Sequence, residues 1–535
     1  MSRGKATGGT VNRSPTDTPF GETPSDKERR LLAEISRAPR AAEPCWALFR
    51  ESIRIGHRGH ARWAIDRLQL LCADNAQSWS AVAAAYADLE SWSEAANALR
   101  RAVAQGAIDE KTLAALANMM LADDRADDAR AALRALTQHH PTAAITHLTA
   151  GHICKAEGDL RSAVTSYRSA IESQPNLADA LFHLVELDDT DDPTLATVIT
   201  NALSVPGVTA MDAATLRFAM ARIDHRAARR VSAFQNWSQA NALTRQQLSD
   251  KGIVHDRIRH EQAVTAMIAA TPRSALDPAL PPLPMGMRPI FIVGMPRSGT
   301  TLVDQIIGKH PLVQQSGELT AMPACVARFL RRRSELGVDT TEPWGSTLDR
   351  DLLMDAREGY LEQVLRRGIE AEVFTDKLPA NFENIGMIRL LFPEAIIVHC
   401  RRHPVANCWS LFTTNLVGHE AYQTSMRDIV DVYRHYRRLM SHWRSSGTQG
   451  LIDLDHETLV TNPDSTMPWL LEKCGLAWDD ACRSFQDSSR AVVTASAAQV
   501  RRGLDMSSLT GWLDYREFIE PEIIDSLMEF ADFRA

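Results

Sequence analysis

Arg297 stands inside a turn of Gly, Pro and Ser in the stretch Pro289–Glu318, PIFIVGMPRSGTTLVDQIIGKHPLVQQSGEL. A short apolar run precedes the turn, and helical spacing follows it from Thr300. Gly294 and Gly299 flank four residues and are followed by Thr300 and Thr301. That is the spacing of a loop whose backbone N–H groups and helix N-terminus converge on an anion. A nucleoside-triphosphate loop carries Lys after its second glycine, to meet the β and γ phosphates. Here Thr300 takes that place and the cation is Arg297. The cradle therefore suits a smaller anionic group than a magnesium-bound triphosphate.

PRSGTT after a short strand, with GEL beyond it, resembles the 5′-phosphosulfate loop of sulfotransferases that use 3′-phosphoadenosine 5′-phosphosulfate (PAPS). The pattern is most similar to that of the tyrosylprotein-type and bacterial repeat-containing members. The resemblance implies that Arg297, Ser298, Gly299, Thr300 and Thr301 surround the 5′-phosphosulfate. In AIIVHCRRHPVANCWSLF, Arg402 follows an apolar strand and Ser410 comes eight residues later, the family's arrangement for the 3′-phosphate. A bidentate guanidinium and a hydroxyl together recognise a phosphate dianion. Arg401, its neighbour, is expected to point the other way and to be structural.

Glu318 lies where related enzymes place their catalytic base, a carboxylate able to take the acceptor's proton; the plainer role is to cap a helix starting near Thr320. Lys377, in VFTDKLPANF, matches a lysine that stabilises charge on the leaving phosphate. Asp376 beside it is open to a nucleotide-hydrolase or kinase reading, against which the missing loop Lys counts. His310 is the rival base, since small-molecule sulfotransferases use histidine, but it follows the loop helix too closely; His419 is expected at the surface or lining the acceptor. Near the C-terminus, SAAQVRRGLDMSSLTGW resembles the cofactor-covering segment. Ser496 and Trp512 match it, while Gly511 stands where a basic residue is expected, leaving Arg501 or Arg502 to replace that residue. The implied reaction is metal-free transfer of a sulfuryl group from PAPS to a hydroxyl or amine of a peptide, glycan or small molecule. The alternative is a repeat scaffold with a degenerate nucleotide-binding domain, against which the intact Arg297, Glu318, Lys377, Arg402 and Ser410 argue.

These residues need elements to position them, and 535 residues are too many for one core. A net charge of −8 gives no general attraction to nucleic acid, so any basic site must be local. The sequence contains no long apolar run suited to a membrane and no N-terminal apolar signal. The 8 Cys lack paired spacing, which fits a reducing cytoplasm and argues against a zinc site or a disulfide framework.

Residues 1–27 are expected to be a disordered tail. Residues 28–270 read as all-helical, and Ala61, Ala95, Ala129 and Ala163 recur every 34 residues. Large residues flank them and Pro141 and Pro175 end units, a pattern similar to tetratricopeptide repeats. A degenerate unit follows near Ala214, with Ala233, Trp237 and Ala240 in second-helix places. Such a solenoid offers a concave face for peptides or for homodimerisation, and presentation of the acceptor is one of its open roles. Residues 271–288 form a Pro-rich linker, read as a spacer between independently packed cores. Residues 289–535 alternate strand and helix as a P-loop-like parallel-sheet domain. Strands are expected at Ile290–Val293, Val373–Thr375, Ala395–Cys400 and Leu451–Leu454, and one helix over Phe382–Leu391.

Overall fold

The computed structural model describes residues 24–531, apart from 56, 72–74, 90, 189–192, 277–279, 282, 284–286, 339–341, 345–349, 417–419, 488–489, 491, 493, 495 and 502. His419, Arg502 and nearly all of the expected tail thus lie outside the described residues.

From Asp26 the chain is a series of antiparallel helix pairs, among them Ala76–Asp88 with Trp92–Ala104, Glu110–Ala122 with Ala126–His139, and Ala144–Glu157 with Leu160–Ser173. The repeated alanines mark where the two helices of a pair touch: Ala61, Ala95, Ala129 and Ala163 are all at 0% exposure. A larger side chain there would hold the helices apart. The pairing continues through Ala210–Arg226 with Arg230–Asp250, then Arg257–Ala270.

The C-terminal part is built on a five-stranded parallel sheet in the order β2-β3-β1-β4-β5. The strands are β1 (Arg288–Gly294), β2 (Val313–Gln315), β3 (Val373–Lys377), β4 (Ile396–Arg401) and β5 (Leu451–Asp455). β1 lies at the centre and is buried on both faces, which accounts for its unbroken apolar run. Its register pairs Ile292 with Lys377 on one side and Gly294 with Cys400 on the other. The ends of β3 and β4 therefore flank the glycine loop. β2 was not foreseen, because three residues with one apolar side chain give no strand period. The helix expected over Phe382–Leu391 is instead a 3-10 segment, Pro379–Asn384, followed by the helix Ile385–Leu391. Pro379 starts the coil early.

The linker does not separate two independent cores. Phe218, Trp237, Ala240 and Val264 of the helical region share one buried cluster with Trp409, Phe412 and Tyr515 of the α/β domain. The Trp237 ring meets Trp409 edge-on at 5.5 Å and Tyr515 at 5.3 Å. The helix Arg230–Asp250, with Ala210–Arg226 and Arg257–Ala270 beside it, supplies the docking face. Among the described residues, no helix is long and apolar enough to cross a membrane.

Candidate active site

After β1 the backbone turns through Gly294 (φ +150°), Arg297 (+69°) and Gly299 (+100°). A Cβ on Gly294 would lie 2.4 Å from the Cys400 carbonyl oxygen, and one on Gly299 would lie 2.7 Å from His456 Nδ1. Both positions require glycine, for φ and for space. The helix Thr300–Gly308 springs directly from Gly299, with Thr300 and Thr301 buried at its start. Ser298 Oγ is buried and has no hydrogen-bond partner.

Arg297 turns its guanidinium into a polar pocket. Its Nε donates to Ser410 Oγ at 3.2 Å, its Nη2 to Gln499 Oε1 at 2.6 Å, and its Nη1 to Ser496 Oγ. Ser410 thus meets Arg297 rather than Arg402. Arg402 lies beneath the loop, where Nη1 donates to the Arg297 carbonyl at 2.9 Å and Nη2 to the Ser508 carbonyl. Its Nε is buried without a partner. Neither arginine forms an ion pair among the described residues. Burial lowers both to about 10; the charge of Arg402 adds to the effect on Arg297, while Glu457 and Asp505 oppose it at Arg402. Two desolvated cations without a carboxylate define a place where an anion is favoured.

His456 completes this side and was missed by sequence reasoning. It directly follows β5, and ligands gather at the C-terminal ends of parallel strands, which is the signal that could have found it. Burial, then the charges of Arg402 and Arg297, lower it to about 3, so the ring is neutral. Its Nδ1 has no hydrogen-bond partner.

The other side of the cleft is set by β2 and β3. Beyond Gln315 the chain keeps pairing with β3: Ser316 N donates to Thr375 O at 3.0 Å, and Lys377 N donates to Gly317 O at 3.0 Å. This pairing brings Glu318 Oε1 and Lys377 Nζ into an ion pair. The lysine side chain is 3% exposed and the carboxylate 44%. A buried cation thus holds a carboxylate that faces solvent. Asp376 turns to the Tyr360 hydroxyl, 2.7 Å away, and burial pushes it up to about 7. His310 uses both ring nitrogens on backbone, donating from Nε2 to Ala477 O at 3.1 Å and accepting at Nδ1 from Leu312 N at 3.2 Å. It is structural.

Arg501 is a correction. Its Nη2 donates to Ala156 O and to Arg490 O, both at 2.9 Å, so it ties the covering segment to the helical region instead of reaching the phosphate loop. Val492 N also donates to Ala156 O, at 2.8 Å, and Arg490 pairs with Asp124. Arg401 pairs with Asp453 and Asp455, the structural placement expected of it.

Residues 289–480 match the sulfotransferase family. This segment is a sulfotransferase-family domain. An uncharacterized protein of Aquifex aeolicus is 28% identical over 387 residues, 71% of this chain and 49% of that protein. Protein-tyrosine sulfotransferase 1 of Danio rerio is 23% identical, over 42% of this chain and 65% of its own length. The chain thus spans about half to two thirds of the length of these relatives. Among solved structures, the sulfotransferase domain of the Synechococcus PCC 7002 olefin synthase aligns with TM-score 0.33 and 20% identity, over 46% of this chain and 95% of its own. A tetratricopeptide repeat protein of Parabacteroides merdae aligns with TM-score 0.32 and 12% identity, over 42% and 89%. In the chain, the segment that matches the sulfotransferase family follows the helical repeat region.

Proposed function

We propose that this protein transfers a sulfuryl group from PAPS to a hydroxyl or amine acceptor. The observation that carries the reading is the pair of buried, carboxylate-free arginines under a glycine loop, facing the Glu318–Lys377 pair across the C-terminal edge of the sheet. The residues fit the donor. Ser298 Oγ, Arg402 Nε and His456 Nδ1 are buried polar atoms without partners.

PAPS supplies the sulfuryl group and a phosphate leaving group. The loop from Arg297 to Thr301 and the N-terminus of its helix bind the 5′ end. Arg402, Ser410 and Ser496 hold the 3′-phosphate, with Arg297 between the two ends. Lys377 stabilises negative charge as it develops. Glu318 takes the acceptor's proton and is oriented by its ion pair with Lys377. The helical region meets the covering segment beside the loop, where Val492 N and Arg501 Nη2 donate to Ala156 O. The acceptor thus approaches between the sulfotransferase domain and the repeats, and the repeats help to present it.

Titration calorimetry tests the donor. Adenosine 3′,5′-bisphosphate is expected to bind at least about tenfold tighter than ATP or GTP, without magnesium, a gap of about 1.4 kcal/mol. Tight, magnesium-dependent ATP binding would overturn the reading.

A further inference from the structure

Where the helical region docks, a second set of donors converges away from the cleft. His255 lies between the helices Arg230–Asp250 and Arg257–Ala270, His260 lies on the latter, and Asp431 and His435 lie one turn apart on the helix Met426–Ser445. His255 Nε2 is 3.1 Å from Asp431 Oδ2, and His435 Nδ1 is 3.8 Å from the same oxygen. One donor atom from each of His255, His260 and Asp431 lies within 4.8 Å of the others. The His260 and His435 rings are 4.7 Å apart.

Three imidazoles around one carboxylate is a nitrogen-rich set of intermediate softness, suited to zinc and its neighbours. Bonds of about 2.0–2.2 Å place adjacent ligand atoms of a tetrahedral site roughly 3.3–3.6 Å apart, between the 3.1 Å and 3.8 Å that separate His255 Nε2 and His435 Nδ1 from Asp431 Oδ2. The pocket is sheltered: the side chains of His255, His435 and Asp431 are 10%, 12% and 19% exposed. Nδ1 of His260 and Nδ1 of His435 are buried and have no hydrogen-bond partner.

The other three-residue group of this kind, Glu28 with His57 and His60, differs in kind. Its carboxylate already accepts from Ser25 N, Ser52 Oγ and both histidines at 2.7–3.0 Å. Both oxygens of that carboxylate are therefore already engaged.

We propose that His255, His260 and Asp431 bind a divalent transition-metal cation of the zinc class, with His435 as the nearest fourth donor, clamping the end of the helical region to the sulfotransferase domain. The donors come as two local pairs, His255 with His260 and Asp431 with His435, that lie about 170 residues apart in sequence, so local spacing alone does not show that the two pairs meet. The site stands apart from the proposed transfer chemistry and does not depend on it.

Chelator-stripped full-length protein, titrated with Zn²⁺ in a calorimeter, is expected to take up one ion per chain at this site and to melt at higher temperature. Co²⁺ should give the intense visible bands of tetrahedral nitrogen and oxygen coordination. His260→Ala and Asp431→Asn should each weaken Zn²⁺ binding by at least about tenfold, with unchanged far-ultraviolet circular dichroism, whereas His57→Ala should leave it intact. Should either variant fail to fold, His255→Gln and His435→Ala give the same readout. No heat of binding at millimolar Zn²⁺, or an isotherm that survives both His260→Ala and Asp431→Asn, would overturn the proposal.

Discussion

The cleft and the seam between the two regions both gather arginines, and they treat them oppositely. At the seam three arginines are matched by acids. Arg245 and Arg257 share Asp428, and Arg230 pairs with Asp514. In the cleft, Arg297 and Arg402 have backbone carbonyls, hydroxyls and an amide, and among the described residues no carboxylate. An unpaired buried cation costs stability unless something neutralises it. These seam arginines are therefore neutralised within the protein, whereas those of the cleft are not. Consecutive residues show the same division: Arg401 ends β4 paired with Asp453 and Asp455, and Arg402, one position on, is left for a ligand.

The strongest way to break this comparison is through the chemistry. Glu318→Gln keeps the shape of the site but removes the proton acceptor, so turnover should fall by about 10²–10⁴. Affinity for adenosine 3′,5′-bisphosphate should stay unchanged by calorimetry. An equal loss of both would remove Glu318 from the role of base.

Next in size is a break in the seam. Trp237→Ala should destabilise the whole chain by about 3–5 kcal/mol, measured by urea unfolding, because the ring is 6% exposed and wedged between Trp409 and Tyr515. A protein starting near Leu280 should be insoluble, since it would leave Trp409, Phe412 and Tyr515 bare. Loss of repeat-region structure alone, with the sulfotransferase domain melting as before, would show that the shared core does not couple them.

The same seam marks where sequence reading stopped. The strand, loop and helix around Arg297 were legible because glycine at φ +100° and an apolar central strand leave local traces. The repeats were legible because a close helix contact demands a small residue every 34 positions. Trp237 was visible only as an apolar helix position; that its partner is Trp409 is a tertiary fact without local pattern. Arg501 was misplaced for a related reason. A basic residue near a phosphate-loop segment looks like a ligand until the fold brings Ala156 O to it. Glu318 and Lys377 were found singly, and their union depended on β2, whose three residues carry no period.

A smaller effect separates the neighbouring arginines. Arg402→Ala should weaken bisphosphate binding by about ten to a hundredfold, as expected for a charge-assisted contact worth about 1.5–3 kcal/mol. Arg401→Ala should leave that affinity unchanged and lower only thermal stability. Similar losses of affinity from both would erase the distinction between the completed arginine and the waiting one.

The smallest effect sharpens the seam. Arg245 and Arg257 are 51% and 52% exposed, while the Asp428 they share is 8% exposed. Either arginine alone can neutralise the carboxylate, and Asp428 also lies in the first turn of the helix Met426–Ser445, where the helix dipole favours a negative charge. Arg245→Ala or Arg257→Ala singly should therefore cost no more than about 1 kcal/mol. Removing both leaves the sheltered carboxylate with the helix N-terminus alone, so the double variant should cost about 0.5–3 kcal/mol more than the sum of the singles. Strict additivity in urea unfolding would mean that the two pairs act as independent surface contacts, and that the seam is held by its aromatic core without help from charge.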